Sequence, residues 1–357
     1  MFDPDQQCPQ IEFAPEDRAQ YGHAALRLLQ NTMAERTKFN ADPQDWAFIK
    51  HRKEFSIFRS VRGSANQSTV VMVGTGLIDG RIEDILEGLY CGTTHELRNA
   101  RVLLGYDVKG ISVPNSHERL TQDDPFLFAS TKSLVGKCAL KLVYERDALT
   151  YERVGTTTDA RGQELTYHTV QPIKRPEWPS ERQDIASCYL SRQDKFTNKT
   201  EVFLWGSILR FGSDPEEAIQ LGVASTWLNV VRSPDVGHAK KYSALMDEAD
   251  SHQRMPSSIN CHVCCRNKPK LGSHALCSGC HQSVCKDCSE QHYIFELSKS
   301  GRTRRRLFCA MCIKDVTGKA HLGSGSDLSK HSTCGPDSAS SSSRWSESLF
   351  QPHIQLT

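Results

Sequence analysis

Eight of the fourteen cysteines form four CxxC pairs between Cys261 and Cys312. Their spacing is C-x2-C-x12-C-x2-C-x4-C-x2-C-x20-C-x2-C. Each pair offers two thiolates from one tight turn, and zinc takes four such ligands in a tetrahedron. Four pairs therefore suit two closed sites. The four-residue gap between the second and third pairs is too short to wrap one tetrahedron from adjacent turns. The pairs are thus expected to interleave: Cys261, Cys264, Cys285 and Cys288 around one ion, Cys277, Cys280, Cys309 and Cys312 around the other. Sites of four thiolates leave no position for water and are structural. The cofactor expectation is two Zn2+, each contributing ~10–16 kcal/mol of apparent binding energy to folding a segment too small to hold itself.

A second chemical signal overlaps the first. Residues 261–319 carry 11 Lys+Arg against 4 Asp+Glu, whereas residues 1–260 are net −4. Lys268, Lys270, Lys299, Arg302, Arg304, Arg305 and Arg306 supply most of that charge. They are the candidate contacts to phosphate or an anionic membrane, where each cation near the surface contributes ~1 kcal/mol. No nucleic-acid partner is expected. No G-x-S-x-G, H-E-x-x-H or P-loop occurs, and no carboxylates or histidines are paired by motif, so the chain reads as a binding protein and not an enzyme. Cys8, Cys91, Cys138, Cys188 and Cys334 lack ligand spacing and read as buried or idle thiols.

From Cys261 to Cys312 the segment resembles the FYVE zinc finger, most clearly in CSGCHQSVCKDCS. That resemblance implies a treble-clef fold with two interleaved zincs, phosphoinositide as ligand and peripheral attachment to endosomal membranes. The family's basic motif around the third cysteine is replaced here by Gly272, Ser273, His274, Ala275 and Leu276, and Arg306 stands one place early before Leu307-Phe308-Cys309. What remains is diffuse basic charge, with a protein partner as the other occupant. An alternative takes Cys277, His281, Cys285 and Cys288 as central ligands, in the C-x3-H-x3-C-x2-C order of a RING-type ubiquitin ligase. That order strands Cys280.

The elements that must carry these residues are legible in outline. The chain has 357 residues, 38% of them hydrophobic, with no apolar run of membrane-spanning length. The first residues are acidic and lack the apolar core of a secretory signal, so a cytoplasmic location is expected. Pro15 followed by Glu16 and Asp17 opens a helix expected to run to Lys38. Further helices are expected over 80–90, capped by Asp79, and over 94–104. Strands are expected at 54–61, 69–75, 125–131, 137–146, 148–156, 164–171, 187–192 and 200–211. Asp214-Pro215-Glu216-Glu217 starts a long helix, interrupted at Ser233-Pro234 and resuming to about Ala249. This is an α+β layout with helices on one side of a curved antiparallel sheet.

Over about 40–250 that order resembles the START lipid-binding domain, a helix-grip in which a sheet wraps a long C-terminal helix. His168–Pro179 is similar to a proline-spaced segment of the family. The resemblance implies an apolar cavity for a hydrophobic lipid ligand, with Leu140, Leu142, Val202, Leu204, Val223 and Trp227 as candidate lining. A rival lies in TVVMVGTGLIDG, where Gly74, Gly76 and Gly80 imitate the phosphate loop of an NAD-dependent enzyme and 101–107 would be the following strand. The expected domains are a helical segment (1–40), the START-like domain (41–250), the FYVE-like finger (255–319) and a Ser-rich disordered tail (320–357). The expected function is a non-enzymatic, zinc-containing adaptor for lipid and membrane.

Overall fold

The computed structural model describes residues 13–40, 42–61, 69–106, 108–118, 127–136, 146–174, 184–209, 215–252, 258–268 and 273–318. The chain divides into two compact units at Pro234/Asp235. Among the described residues no helix is long and apolar enough to cross a membrane.

The first unit runs α1 (Pro15–Lys38), β1 (Trp46–Arg52), β2 (Phe55–Ser60), β3 (Thr69–Asp79), α2 (Ile82–Leu89), α3 (Thr94–Leu104), β4 (Val108–Glu118), β5 (Phe128–Gly136), β6 (Arg146–Thr158), β7 (Glu164–Pro172), β8 (Ile185–Gln193), β9 (Lys199–Leu209) and α4 (Glu216–Trp227). A 3-10 turn, Leu228–Arg232, follows. All nine strands form one antiparallel sheet in the order β1-β2-β3-β9-β8-β7-β6-β5-β4. The β3–β9 pairing holds register from Thr69↔Leu209 to Asp79↔Lys199 and joins the early hairpin to the late strands. The unit is α+β, built on a large antiparallel sheet.

Side chains alternate faces along a strand, and both faces are covered here. Val202, Leu204 and Ile208 of β9 pack with Met72, Phe55 and Ile57 against Val223, Ala224, Trp227 and Leu228. Phe203, with Val73 of β3 and Cys188 and Leu190 of β8, packs against Leu28 and Leu29 of α1. The expectation of helices on one side is corrected: α1 covers the face opposite α4. Its Ala25, Leu28 and Leu29 form an apolar stripe of helical spacing that needs a sheet to bury it.

Local chemistry accounts for the helix ends. Thr93 accepts from the Glu96 amide at 3.2 Å and Glu96 accepts from the Thr93 amide at 3.1 Å, a reciprocal capping box. Gly105 in the left-handed region ends α3. Asp79 is the last residue of β3 and not a cap; Arg81 holds that place.

The dinucleotide reading fails on topology. Residues 101–104 are helical, and β3 pairs only antiparallel neighbours, whereas the nucleotide fold needs parallel strands. The glycines serve packing instead. Gly76 sits at φ +147°, and a Cβ there would stand 1.9 Å from the Glu54 carbonyl oxygen. The edge strand β1 and strand β4 were not anticipated. The expected strand over 137–146 lies almost wholly outside the described residues, as does the expected tail.

The second unit contains α5 (Ser233–Ser251) from Asp235 onward, then β10 (Ala275–Leu276), β11 (Ser283–Val284), β12 (Ser289–Leu297), β13 (Thr303–Cys309) and α6 (Ala310–Thr317). Its core is small: Tyr242, Val284, Ile294, Phe308, Ile313 and Val316 beside the cysteines, with Leu245 and Met246 at the margin. The Tyr242 ring lies 4.3 Å from Phe308 and stacks 4.9 Å from His292. The Phe295 amide donates to Ser243 Oγ at 2.9 Å. Helix α5 is therefore part of what the finger packs upon.

Candidate functional site

The eight paired cysteines converge into two groups: Cys261, Cys264, Cys285 and Cys288, and Cys277, Cys280, Cys309 and Cys312. Within each group all four sulfurs lie within 4.8 Å of one another. This is the interleaved arrangement, the first pair with the third and the second with the fourth.

Each pair sits on a turn that aims both sulfurs inward. In the first two pairs the residue after the second cysteine closes the turn. The Cys265 amide donates to the Cys261 carbonyl and the His281 amide to the Cys277 carbonyl, each at 2.9 Å. Both residues take left-handed φ, 59° and 56°. The third pair closes through a 3-10 turn, Lys286–Cys288. In the fourth pair, Cys309 caps α6 and Cys312 lies in its first turn, with the Cys312 amide 3.5 Å from Cys309 Sγ.

The donor chemistry fits a tetrahedral thiophilic cation. Zinc–sulfur bonds of ~2.3 Å at tetrahedral angles give sulfur–sulfur edges of ~3.8 Å. Cys264–Cys285, Cys277–Cys312 and Cys280–Cys309 measure 3.7, 3.8 and 3.9 Å. A disulfide would need ~2.05 Å. Backbone amides also point at sulfur, from Cys285 to Cys261 at 3.4 Å and from Cys309 to Cys277 at 3.2 Å. Hydrogen bonds from Cys280, Cys309 and Cys312 pull the Cys277 thiol below the usual thiol range, and the same contacts push Cys309 and Cys312 above it. Cys280 is drawn down as well, so two sulfurs ionise at the expense of the other two; ionising all four takes a cation among them. Each group could hold one metal ion.

The RING-like ligand set is corrected by this geometry. Cys277 groups with Cys280, whereas Cys285 and Cys288 belong to the other group, so no site combines Cys277 with Cys285 and Cys288. His281 Nε2 lies 3.1 Å from Asp250, away from the sulfurs. Its left-handed backbone is what the turn requires after Cys280.

Lys299, Arg302, Arg304, Arg305 and Arg306 lie on the β12–β13 hairpin and its turn, and Lys268 lies in the loop after the first cysteine pair. Lys268, Lys299 and Arg302 are exposed. Arg304 is paired with Glu296 at 2.6 Å. The Arg305 guanidinium lies 4.1 Å over the Tyr293 ring and donates to its hydroxyl at 2.6 Å. Arg306 stands opposite His292 in the ladder. Lys270 lies outside the described residues.

In the first unit a cavity of about 180 Å³ lies between α2, α3, strands β5 to β8 and the end of α4. Leu89, Leu104, Val170, Ile185, Trp227 and Val230 supply apolar wall. Its floor is charged. Lys132 Nζ donates to Glu152 Oε2 at 2.7 Å, and His168 Nε2 lies 3.1 Å from the same oxygen. All three side chains are more than nine-tenths buried. Burial alone would raise the Glu152 carboxyl; Lys132 beside it, the His168 hydrogen bond and the charge of Arg101 outweigh that and hold it well below the usual carboxylate range. Arg101 also lines the cavity, its guanidinium 4.7 Å over the Tyr106 ring.

Of the residues expected to line a cavity, Trp227 does so. Its ring lies against Gly206, where a Cβ would stand 2.4 Å away. Val202, Leu204 and Val223 pack instead into the filled core between sheet and α4. Leu140 and Leu142 lie outside the described residues. Sequence reasoning missed Arg101, Lys132, Glu152 and His168. The usable signal was alternation in β6, where Leu149 and Tyr151 face one way and Thr150 and Glu152 the other. Cys91 and Cys188 are buried and belong to neither cysteine group, and burial pushes the Cys188 thiol up to about 12.

No protein-family profile and no curated protein matches this chain. Among solved structures, human STARD10 is similar at 14% identity over 62% of this chain and 84% of that one, with a TM-score of 0.40. The human StAR-related lipid transfer protein 5 is similar at 15% identity over 60% and 99%, TM-score 0.40. A STAR-related lipid transfer protein from Xanthomonas axonopodis is similar at 14% identity over 53% and 96%, TM-score 0.38.

Proposed function

We propose that the chain is a non-enzymatic, two-part binding protein. Its START-like first unit takes an apolar ligand into the cavity beneath α4. Its second unit is a FYVE-like finger held by two structural zinc ions. The finger docks the protein peripherally on an anionic membrane surface from the cytoplasm.

The observation that carries the ligand part is the cavity itself, about 180 Å³ with an apolar wall. Well-packed interiors hold few voids larger than a water molecule. A cavity of this size beside a filled core supports a binding site. The observation that supports zinc is the set of sulfur–sulfur edges matching a tetrahedral ZnS4 unit. Such ions hold structure and open no coordination position for chemistry. For docking, the support is exposed Lys268, Lys299 and Arg302 on a basic segment. Diffuse charge of this kind follows total anionic charge rather than headgroup stereochemistry.

Native mass spectrometry of the full chain tests the ligand part. The expected result is a co-purifying apolar molecule released by organic solvent. A chain that carries none, and whose thermal midpoint no added lipid shifts, would reduce the first unit to an interaction module.

A further inference from the structure

We propose that the cavity of the first unit selects a small uncharged ligand carrying one acceptor oxygen, which the hydroxyls of Tyr189 and Ser187 hold. This rests on reading the cavity as a ligand site and names the class of ligand.

Two independent observations point there. The first is a pair of hydroxyls. Along β8, Ile185, Ser187 and Tyr189 face the cavity, while Cys188 and Leu190 face α1. Ser187 is 3% exposed. Neither hydroxyl makes a hydrogen bond among the described residues, and neither is sealed from the space beside it. The Tyr189 ring stacks on His168, opposite it in the β7–β8 pairing, at 5.9 Å between centroids and 21° between planes. That contact fixes where the phenol stands. Burial, with Tyr106 nearby, pushes its hydroxyl above the usual phenol range, so it stays protonated and donates. A hydrocarbon lying over these groups strips them of hydrogen bonds that water would make, and a ligand oxygen restores one.

The second is charge balance. Lys132 and Glu152 are paired at 2.7 Å. Arg101 is half-buried, and its charge already acts on Glu152. Glu152, Val170 and Ser187 stand in one row across β6, β7 and β8. A carboxylate brought to Ser187 and Tyr189 would therefore be held near an ionised one, and an ammonium near Lys132 and Arg101. A charge that enters such a site unpaired is costly to desolvate, so an uncharged head is favoured. The volume sets the scale: about 180 Å³ is close to the ~150 Å³ of an engineered cavity that takes benzene, which implies a ligand on the order of ten heavy atoms.

Calorimetric titration of the zinc-loaded full chain with propiophenone, n-propylbenzene and 3-phenylpropanoate tests this. The first two share a carbon skeleton and differ by one carbonyl oxygen; the third keeps that skeleton and ends it in a carboxylate. Propiophenone is expected to bind about tenfold more tightly than the anion. The diagnostic variant is Tyr189→Phe, which removes one oxygen and keeps a ring on His168, with the thermal midpoint of the unliganded chain as control. It is expected to keep the wild-type midpoint, to weaken propiophenone by about fivefold, the size of one net hydrogen bond, and to leave propylbenzene within about twofold. If the midpoint moves, Ser187→Ala carries the same comparison, with a loss for propiophenone alone expected. Equal effects on both neutral probes, or no effect on propiophenone, would overturn the inference and leave the apolar-ligand reading standing. Anion binding as tight as that of propiophenone would overturn it too. Binding of no probe up to its solubility limit overturns it, and if native mass spectrometry also finds no lipid, the broader reading falls with it.

Discussion

In the first unit, burial comes from extended apolar faces: nine strands, α1 on one side and α4 on the other, with Phe55, Ile57, Met72 and Leu204 fully enclosed. In the second, the described strands are two pairs, and the buried cluster is a few apolar side chains around eight cysteines. Segments that small rarely bury enough surface to fold alone. The two units also treat buried charge differently. The first encloses a lysine and a glutamate that neutralise one another, with a histidine hydrogen-bonded to the same carboxylate. The second encloses thiols that can all ionise only around a cation. One kind of buried charge is balanced by protein groups, and the other is not.

The largest effect expected from that contrast is selective loss of the second unit on metal removal. Elemental analysis should return two zincs per chain. A strong chelator should abolish hydrogen-exchange protection in β12, β13 and α6, withdrawing ~10–16 kcal/mol of apparent binding per site, while β3, β8 and β9 stay protected. Cys285→Ser should lose one zinc. Unchanged protection in β12 and β13 after chelation would show that the small core suffices.

Next in size is the buried ion pair. Lys132→Met should destabilise the first unit by ~3–5 kcal/mol in a denaturant titration, because it leaves a carboxylate buried and unpaired. The double change Lys132→Met, Glu152→Leu should recover most of that loss. A single variant as stable as wild type would mean that Glu152 reaches water. Of similar size, Tyr242→Ala should cost the second unit ~3–5 kcal/mol by emptying the space between α5 and Phe308. Tyr242→Phe should cost little or stabilise, since the Tyr242 hydroxyl is buried without a partner. A finger begun at residue 255 lacks this ring and should be less stable than one begun at 235.

Acid should separate the units further. The Glu152 carboxyl is held below its unfolded value of ~4.3. As pH falls the unfolded chain takes up the proton first, so the stabilisation is complete above about pH 4.3 and is lost on descent toward the folded value. Glu152→Gln should flatten that acid limb for the first unit alone. A limb of unchanged slope would assign it to other carboxylates. The smallest effect concerns liposomes. Each exposed cation among Lys268, Lys299 and Arg302 should contribute ~1 kcal/mol, less for Arg304, which Glu296 already partners. Binding should weaken as salt shortens the Debye length from ~10 Å at 0.1 M to ~3 Å at 1 M. Salt-resistant binding to one phosphoinositide would point to a specific pocket instead.

What could be read directly from the chain was whatever depends on a few consecutive residues. Helices α1 and α3 have the expected ends, because Pro15, the Thr93/Glu96 box and the apolar spacing between them are local. The expected grouping of the cysteines is met, and part of it was legible for the same reason: a four-residue turn fixes each pair of sulfurs, and a four-residue gap forbids joining the second pair to the third; the packed structure decides between the two groupings that remain. Strand β1 was missed because WAFIKHR is a half-exposed edge strand with no clean alternation. The long helix was read from its start, and its break near Ser233 reflects the proline that follows.

The polar cavity floor could not be read that way. Lys132, Glu152 and His168 lie on three strands, 20 and 16 residues apart, and meet only because β5, β6 and β7 pair in one register. A shift of one residue would turn each to the α1 face, where Leu149 and Tyr151 now pack. Alternation alone cannot say which face holds a cavity when helices cover both. Nor does Trp227 announce itself as lining while Val223, one turn earlier, is core; that depends on the ring settling against Gly206. Ligand spacing is a property of short turns and survives translation from sequence. A cavity is what remains where nine strands and several helices fail to meet, and only the packed structure places it.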